Sequence, residues 1–237
     1  MAGVREAELV EIRIAKKLVG ANAPVAAALR ALFAERRVWA VNVLGSPGAG
    51  KTALLEALAS RLKGGIRIGV IEGDLETARD AERMERAGVK ALQITTGRGC
   101  HLNAAMVQDA LGAFDLAALD LLFVENVGNL VCPADWDLGE DERLLVASVT
   151  EGDDKPAKYP PMFASAHVLA MNKTDLLPHV DFDADRFTAE ARALRPGVEV
   201  FRVSCRTGDG VQALADRFAA RTRAKRAGGE RGTGNGK

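Results

Sequence analysis

The segment Gly45–Thr52 constrains the fold of this chain more than any other. Its sequence, GSPGAGKT, has the Gly-x4-Gly-Lys-Thr spacing of a phosphate-binding loop. An apolar run at 39–44 precedes the loop, and a helix-length segment at 51–61 follows it. A phosphate-binding loop needs this context, because it directs backbone N–H groups and a helix N-terminus at the phosphates. The pattern therefore predicts a strand, a phosphate-binding turn and a helix in succession.

Each part of this loop has an expected contact with a nucleotide and its magnesium ion. We expect Lys51 to reach the β- and γ-phosphates and the Thr52 hydroxyl to bind Mg²⁺. The remaining contacts are expected at Gly45, Gly48, Ala49, Gly50 and Ala53. The alternative interpretation is a glycine-rich turn without a ligand, which does not require a strand before it and a helix after it.

Short apolar runs alternate with helix-length segments from residue 38 onward. The predicted strands are 39–44, 66–71, 91–95, 121–125, 144–149, 166–171 and 198–203. The predicted helices are 51–61, 77–87, 102–114, 184–194 and 210–221. This alternation predicts an α/β fold of the P-loop NTPase type, with a mainly parallel sheet flanked by helices on both faces. In such folds ligands bind at the carboxyl ends of the strands.

Two appendages are predicted to flank a central domain at 38–222. Residues 1–37 have helical apolar spacing, and Asn22-Ala23-Pro24 predicts a break or a new helix start within them. They are expected to form a helical arm on the main domain. Residues 223–237 are basic and rich in glycine, with almost no apolar side chain, so we expect a disordered tail.

Asn172-Lys173-Thr174-Asp175 follows an apolar strand and predicts guanine recognition. The Asp175 carboxylate can accept hydrogen bonds from the ring N–H and the exocyclic amine of guanine, and adenine lacks that donor pair. Asn172 and Lys173 are the other expected nucleotide contacts of this segment. A backbone donor to the guanine carbonyl is expected at Ser204-Cys205-Arg206, after the last strand. The alternative is a polar loop that Pro178 ends.

Two acidic residues at strand ends are candidates for the magnesium site and for catalysis. Glu125 ends the apolar run 121–125, and Gly128 follows it, where its N–H can sense the γ-phosphate. Asp74 is our candidate switch residue near Mg²⁺ and the attacking water. In the competing interpretation Asp74 caps the helix predicted to begin near Thr77.

Cys100-His101 and Cys132 are candidate ligands of a second metal. Thiolate and imidazole suit Zn²⁺ and, in some geometries, Ni²⁺. The spacing is not that of a zinc finger, and a free cysteine is often a small core residue, so both interpretations stay open on spacing alone. Cys132 lies four residues after Gly128, where nucleotide state can reach it.

The composition excludes several other classes of protein. The formal net charge is zero, which gives no reason to expect a nucleic-acid or membrane partner. No apolar run reaches the roughly 20 residues that span a bilayer, and we expect a cytoplasmic protein. Three cysteines are an odd number, which argues against a disulfide framework.

Five segments together resemble one family, the HypB GTPases of nickel incorporation into hydrogenase, which are SIMIBI-class P-loop GTPases. They are 45–52, 99–102 (GCHL), 125–133 (ENVGNLVCP), 150–156 (TEGDDKP) and 172–175. The resemblance runs from about Val38 to Phe218. It implies a GTPase that hydrolyses GTP to GDP and forms a homodimer when GTP is bound. It also implies a nickel or zinc site at Cys100, His101 and Cys132.

The implied role is delivery of nickel to the large subunit of [NiFe]-hydrogenase, with a companion nickel-binding maturation protein as partner. Two departures from the family matter. Ala105 stands where many relatives have a histidine, which bears on a second bound metal, and Met1–Val38 has no cysteine or histidine for nickel storage. The alternatives are a urease-type nickel GTPase, another metallocofactor-chaperone GTPase, a metal-storage protein and a small-molecule kinase, which does not need Asn172–Asp175.

Overall fold

The strands form one seven-stranded sheet in this computed structural model, which describes residues 20–74, 84, 89–97 and 99–228. Every neighbouring pair of strands is parallel, in the order β3-β2-β4-β1-β5-β6-β7. The strands are β1 (Trp39–Gly45), β2 (Ile68–Asp74), β3 (Lys90–Thr95), β4 (Leu121–Glu125), β5 (Glu142–Ser148), β6 (Val168–Asn172) and β7 (Glu199–Arg202). The predicted α/β fold with a parallel sheet is confirmed.

Helices cover both faces of this sheet. They are α1 (20–35), α2 (Lys51–Leu62), α3 (Ala104–Leu111), α4 (Lys155–Lys158), α5 (Pro160–Ser165), α6 (Ala184–Leu194) and α7 (Val211–Gly228). Side chains alternate along β1: Val41 and Val43 pack in the cluster with α2 and α7, whereas Ala40 packs in the cluster with α1 and α3. Burial of this central strand on both faces explains why its sequence is apolar except at Asn42. Within the described residues no helix is long and apolar enough to cross a membrane.

The N-terminal arm is represented by α1, which packs on the sheet. Ala26, Leu29 and Phe33 are buried in the core beside α3. Residues 22–24 are helical, so the expectation of a break there is wrong. The alternative, a new helix start close to this point, stays a prediction. Burial of one apolar face stabilises a helix more than local propensity does, which accounts for continuity past Pro24. Residues 1–19 lie outside the described part of the chain.

The C-terminal boundary also differs from the prediction. Residues 223–228, expected to belong to a disordered tail, continue α7 as far as Gly228. Lys225 Nζ donates to the Val38 carbonyl at 2.7 Å and to the Asp141 carboxylate, and Arg226 pairs with Asp120. These contacts hold the last turn of the helix although it has few apolar side chains. Residues 229–237 lie outside the described residues.

Helix and strand ends elsewhere agree with the predictions to within a few residues. The helix expected at 102–114 is shorter, because Asn103 caps it by accepting from the Met106 N–H at 3.0 Å. The helix expected at 77–87 lies outside the described residues, except for Met84, which is helical and buried. The loops that follow β1, β3, β4, β5 and β6 meet at the carboxyl edge of the sheet.

Candidate nucleotide and metal site

The phosphate-binding loop joins β1 to α2 as the sequence predicts. Gly50 immediately precedes α2 and has a left-handed backbone with φ of 95°. A Cβ at this position would lie 2.4 Å from Asn172 Nδ2, so only glycine fits without a shift of the asparagine. The phosphate loop and the predicted base-recognition segment are therefore in direct contact.

Lys51, Thr52 and Glu125 come together beneath this loop. Lys51 Nζ donates to the Ser46 carbonyl at 3.4 Å, and the Thr52 hydroxyl donates to Glu125 Oε1 at 3.0 Å. All three predicted residues are buried. A hydroxyl and a carboxylate side by side are oxygen donors of the kind that Mg²⁺ prefers.

Two other acidic residues lie at the same edge of the sheet. Asp74 ends β2, where its backbone pairs with Thr95, but its side chain lies outside the described structure and its role stays a prediction. Glu151 was not predicted as a site residue, yet its Oε2 accepts from the Ser46 hydroxyl at 2.6 Å. Its position just after β5 is the signal that could have identified it.

The base-recognition segment lies against the phosphate loop. Asn172 Nδ2 donates to the Ala49 carbonyl at 3.0 Å, and Lys173 Nζ donates to the Gly48 carbonyl at 2.8 Å. Lys173 adopts a left-handed backbone with φ of 61°, which is uncommon outside glycine and concentrates at functional sites. The predicted residues of both segments are thus brought together.

A cavity of about 350 Å³ opens between these segments. It is lined by Gly50, Ala53, Asn172, Lys173, Asp175, Leu176, Cys205 and Arg206. The Ser204 hydroxyl donates to Asp175 Oδ1 at 2.7 Å and holds that carboxylate. Burial raises the pKa of the Cys205 thiol, which therefore stays protonated at neutral pH. A somewhat larger cavity of about 410 Å³ lies between Ile66, Val89 and Phe114, and no predicted site residue lines it.

Cys100, His101 and Cys132 form a cluster as the predicted metal site requires. Their ligand atoms all lie within 4.8 Å of one another, and Cys100 Sγ lies 3.4 Å from His101 Nδ1. Among the described residues this is the one group of three or more such side chains that could hold a metal ion. Ala105, where a further histidine would be needed, is an exposed alanine on α3.

The donors of this cluster suit a soft or borderline divalent ion. A hydrogen bond with Cys132, and then burial, raise the pKa of the Cys100 thiol. Burial lowers the pKa of His101, so the imidazole is neutral and able to bind a metal at neutral pH. Three ligands leave one tetrahedral position for water or for another protein. The residues therefore fit Ni²⁺ or Zn²⁺.

The segment 128–131 connects the phosphate loop with both parts of the cluster. Gly128 packs on the phosphate loop so closely that a Cβ would lie 2.9 Å from the backbone of Pro47. The Asn129 N–H donates to the Gly45 carbonyl at 3.1 Å. Its side chain donates to the Cys100 carbonyl at 3.4 Å and accepts from the Val131 N–H at 2.8 Å. Sequence reasoning missed Asn129, since nothing in its spacing distinguishes it from a polar turn residue.

The fold and the phosphate loop define the chain as a P-loop nucleotide-binding protein. The family model described as "CobW/HypB/UreG, nucleotide-binding domain" matches residues 39–202. The hydrogenase maturation factor HypB of Azotobacter vinelandii is 50% identical over 200 residues, which are 84% of this chain and 66% of that protein. HypB of Escherichia coli K12 is 44% identical over 209 residues, which are 88% of this chain and 71% of that protein.

Two solved structures of HypB proteins are similar to this chain in fold and in sequence. HypB from Helicobacter pylori in complex with nickel has a TM-score of 0.80 and 36% identity, and the match covers 85% of this chain and 95% of that one. HypB from Archaeoglobus fulgidus has a TM-score of 0.80 and 37% identity, with 86% and 99% covered. The chain belongs to the HypB family of hydrogenase maturation factors.

Proposed function

We propose that this chain hydrolyses GTP to GDP and phosphate and uses the nucleotide to control a bound nickel ion destined for [NiFe]-hydrogenase. The observation that carries the proposal is the segment 128–131, which contacts the phosphate loop at one end and the Cys100–Cys132 cluster at the other. A protein that only stored metal would not need a base cavity, and a kinase would not need the thiol cluster.

The positions of the side chains support the following nucleotide roles. Lys51 binds the β- and γ-phosphates, while Asn172, Lys173 and Asp175 hold the guanine in the cavity beside Cys205. Mg²⁺, when bound, supplies charge neutralisation at the phosphates. Thr52 and Glu125 are the residues that would hold it, with Asp74 as the third candidate. Glu125 and Asp74 are also our candidates to orient the attacking water.

Nickel is the cargo of this site, and zinc is the other ion that its donors suit. Cys100 and Cys132 supply thiolates and His101 supplies a neutral imidazole. A second copy of the chain in a GTP-dependent homodimer fills the coordination that one chain leaves open. Val131, which is next to Cys132, is 62% exposed, and an exposed apolar side chain beside the ligands favours such an interface.

Hydrolysis then loosens the segment 128–131 and lowers the affinity for the ion. Because coupling between two sites is reciprocal, bound metal must also change the affinity for GTP. The partners in this proposal are a companion nickel-binding maturation protein and the precursor of the hydrogenase large subunit. The names of the relatives support the hydrogenase role, and one from Helicobacter hepaticus, 40% identical, is called a hydrogenase/urease maturation factor. Urease is therefore the second candidate recipient of the nickel.

The test is to measure Ni²⁺ stoichiometry, and the self-association of the chain with a nonhydrolysable GTP analogue, for the wild type and for Cys132→Ala. We expect the variant to lose the metal and the metal-dependent part of its association, but to bind the GTP analogue with the affinity that the wild type has in the absence of metal. His179→Ala is the matched control, since it removes an exposed histidine outside the cluster. Unchanged Ni²⁺ stoichiometry in Cys132→Ala would refute the site assignment.

A further inference from the structure

A chain of buried polar side chains runs behind the metal cluster, from one of its loops to the other. It begins at the Leu102 N–H, next to His101, which donates to Asn126 Oδ1 at 2.9 Å. Asn126 Nδ2 donates to Asn42 Oδ1 at 3.3 Å, and Asn42 Nδ2 donates to Glu140 Oε1 at 3.4 Å. Asn42 and Asn126 are fully buried, and Glu140 is nearly so.

Arg143 completes the chain at the second loop. Its Nε donates to Glu140 Oε1 at 2.6 Å, and its two terminal nitrogens donate to the carbonyls of Ala134 and Trp136 at 2.7 and 3.0 Å. Those carbonyls belong to the turn that begins at Cys132. The guanidinium therefore holds the backbone that carries the second thiol.

An aromatic contact also links the two loops, on the side of the metal ligands. The rings of His101 and Trp136 are stacked, with centroids 4.2 Å apart and planes inclined by 28°. Trp136 is thus held through its carbonyl by Arg143 and in turn limits the rotation of the His101 imidazole. The two loops that carry the ligands are connected on both sides of the cluster.

This network is a costly way to fill the interior of a sheet. A polar side chain at the centre of β1 must satisfy all its hydrogen bonds or destabilise the core, and an apolar residue would meet no such demand. Each of these hydrogen bonds joins two neighbouring members of the polar network that links the two loops. A network of this kind fixes one geometry, and the metal site is what that geometry serves.

We infer that Arg143 is a positioning residue of the metal site, which fixes the Cys132 loop relative to the Cys100-His101 loop through Glu140, Asn42 and Asn126. The inference rests on the proposed metal-binding function and adds a residue that is not itself a ligand. Arginine is needed because its planar fork reaches a carboxylate and two carbonyls at once, which the single ammonium of lysine cannot do.

The test compares wild type with Arg143→Lys in the full chain, using Ni²⁺ alone against a chromophoric competitor and Co²⁺ alone for its visible absorption. Arg143→Lys keeps a positive charge beside Glu140 but loses the fork. We expect Ni²⁺ affinity to fall about tenfold, as for other residues that orient ligands. The Co²⁺ bands, which report ligand geometry, should shift, while affinity for a GTP analogue, measured without metal, stays unchanged.

Arg217→Lys is the matched control. The side chains of Arg143 and Arg217 are 13% and 11% exposed, and each pairs with a carboxylate that is almost fully buried. Arg217 bonds to carboxylates only and contacts neither metal loop. The control variant should therefore be destabilised to thermal unfolding, with the wild-type Ni²⁺ affinity and Co²⁺ spectrum.

The possible results separate this inference from the function on which it rests. Wild-type affinity and spectrum in Arg143→Lys, or equal changes in Arg217→Lys, would overturn the positioning role alone. Failure of the wild type to take up either ion would overturn the proposed function and this inference with it. If Arg143→Lys does not fold, Glu140→Gln, which removes the negative charge that holds the Arg143 guanidinium, should move both measurements in the same direction.

Discussion

The two edges of the sheet use the same kinds of side chain in different ways. At the amino ends of the strands, charged groups pair with one another across elements: Arg217 with Glu142 and Glu199, Lys225 with Asp141. At the carboxyl ends, Lys51 and Lys173 donate to loop carbonyls, and a cavity remains beside them. One edge satisfies its charges internally, whereas the other presents them where a ligand can be bound.

This difference shows what the charged side chains do at each edge. The amino-end pairs tie α7 to β5 and β7 and make no contact with the cavity. The carboxyl-end lysines are held in place by neutral carbonyl groups, which orient the cations without neutralising them. A preorganised cation of this kind is available to an anionic ligand. Variants at the amino edge should therefore change mainly the stability, and variants at the carboxyl edge mainly the nucleotide affinity.

The largest expected effect is on stability, from Arg217→Met at the amino edge. The variant leaves the carboxylates of Glu142 and Glu199 without their principal partner. Breaking a buried pair on one side typically costs about 3–5 kcal/mol in the free energy of unfolding. Chemical denaturation should reveal this loss, and the affinity of the folded variant for a GTP analogue should equal that of the wild type.

A double variant, Arg217→Met with Glu142→Leu, is the control for that interpretation. Replacing both charges by apolar groups should recover part of the lost stability, because no buried charge is then left alone. A loss of less than about 1 kcal/mol in the single variant would place this cluster among ordinary surface pairs and remove the contrast between the edges.

Asp175→Asn, at the carboxyl edge, is expected to lower nucleotide affinity and to leave stability almost unchanged. The amide can no longer accept both guanine hydrogen bonds, so GTP affinity should fall by about 2–3 kcal/mol, roughly a hundredfold. Xanthosine triphosphate, which offers a carbonyl in place of the exocyclic amine, should bind better to the variant than to the wild type. Calorimetric titration with both nucleotides measures the exchange of preference.

Asp185→Asn is the control for Asp175→Asn, since its side chain is 92% exposed and lies outside the cavity. It should leave both nucleotide affinities at their wild-type values. Retention of GTP preference in Asp175→Asn would mean that the cavity beside Cys205 is not the guanine site. Denaturation curves of the two variants should be nearly superimposable, which distinguishes this edge from the other.

The smallest expected effect is the pH dependence of the amino edge. The hydrogen bond from Arg217 lowers the pKa of the Glu199 carboxyl below its ordinary value. A lowered folded-state pKa means that the stabilisation is complete above the unfolded pKa, about 4.3, and is lost as the pH falls through the folded value. Because Glu199 is 42% exposed, solvent screening limits the contribution to about 1 kcal/mol or less.

Unfolding free energies of the wild type and Glu199→Gln, measured from pH 7 down to pH 3, check this contribution. The difference between the two proteins should be largest at neutral pH and should vanish in acid. A constant difference across the whole range would show that Glu199 contributes through packing rather than through its charge.

Local sequence was sufficient to predict much of the site at the carboxyl edge of the sheet. The phosphate loop and Asn172–Asp175 have fixed spacings and follow apolar strands, so their chemistry and their meeting point could both be predicted. Cys100 and Cys132 are on loops after different strands, and spacing alone left the metal and core interpretations open. Their clustering depends on the strand order, with β4 and β2 adjacent and β3 at the edge of the sheet.

The amino edge and the buried network could not be predicted in the same way. The last turn of α7 has little local helical support and depends on Asp141 and Asp120, which are distant in sequence. Arg143 likewise looks like an ordinary surface cation, because its three partners come from the preceding loop and only folding directs them at it. Long-range polar contacts leave no periodic trace in a sequence.

The contact between Gly50 and Asn172 has a consequence for how this protein can change over generations. Because the asparagine amide occupies the volume that a Cβ at Gly50 would fill, and the backbone there has φ of 95°, residue 50 cannot gain a side chain without strain and a shift of Asn172. A substitution at residue 172 would alter the phosphate-binding turn, while a substitution at residue 50 would displace the base-recognition segment. At Asp175, which accepts from the Ser204 hydroxyl, a lineage could acquire a new base preference without a change in that turn.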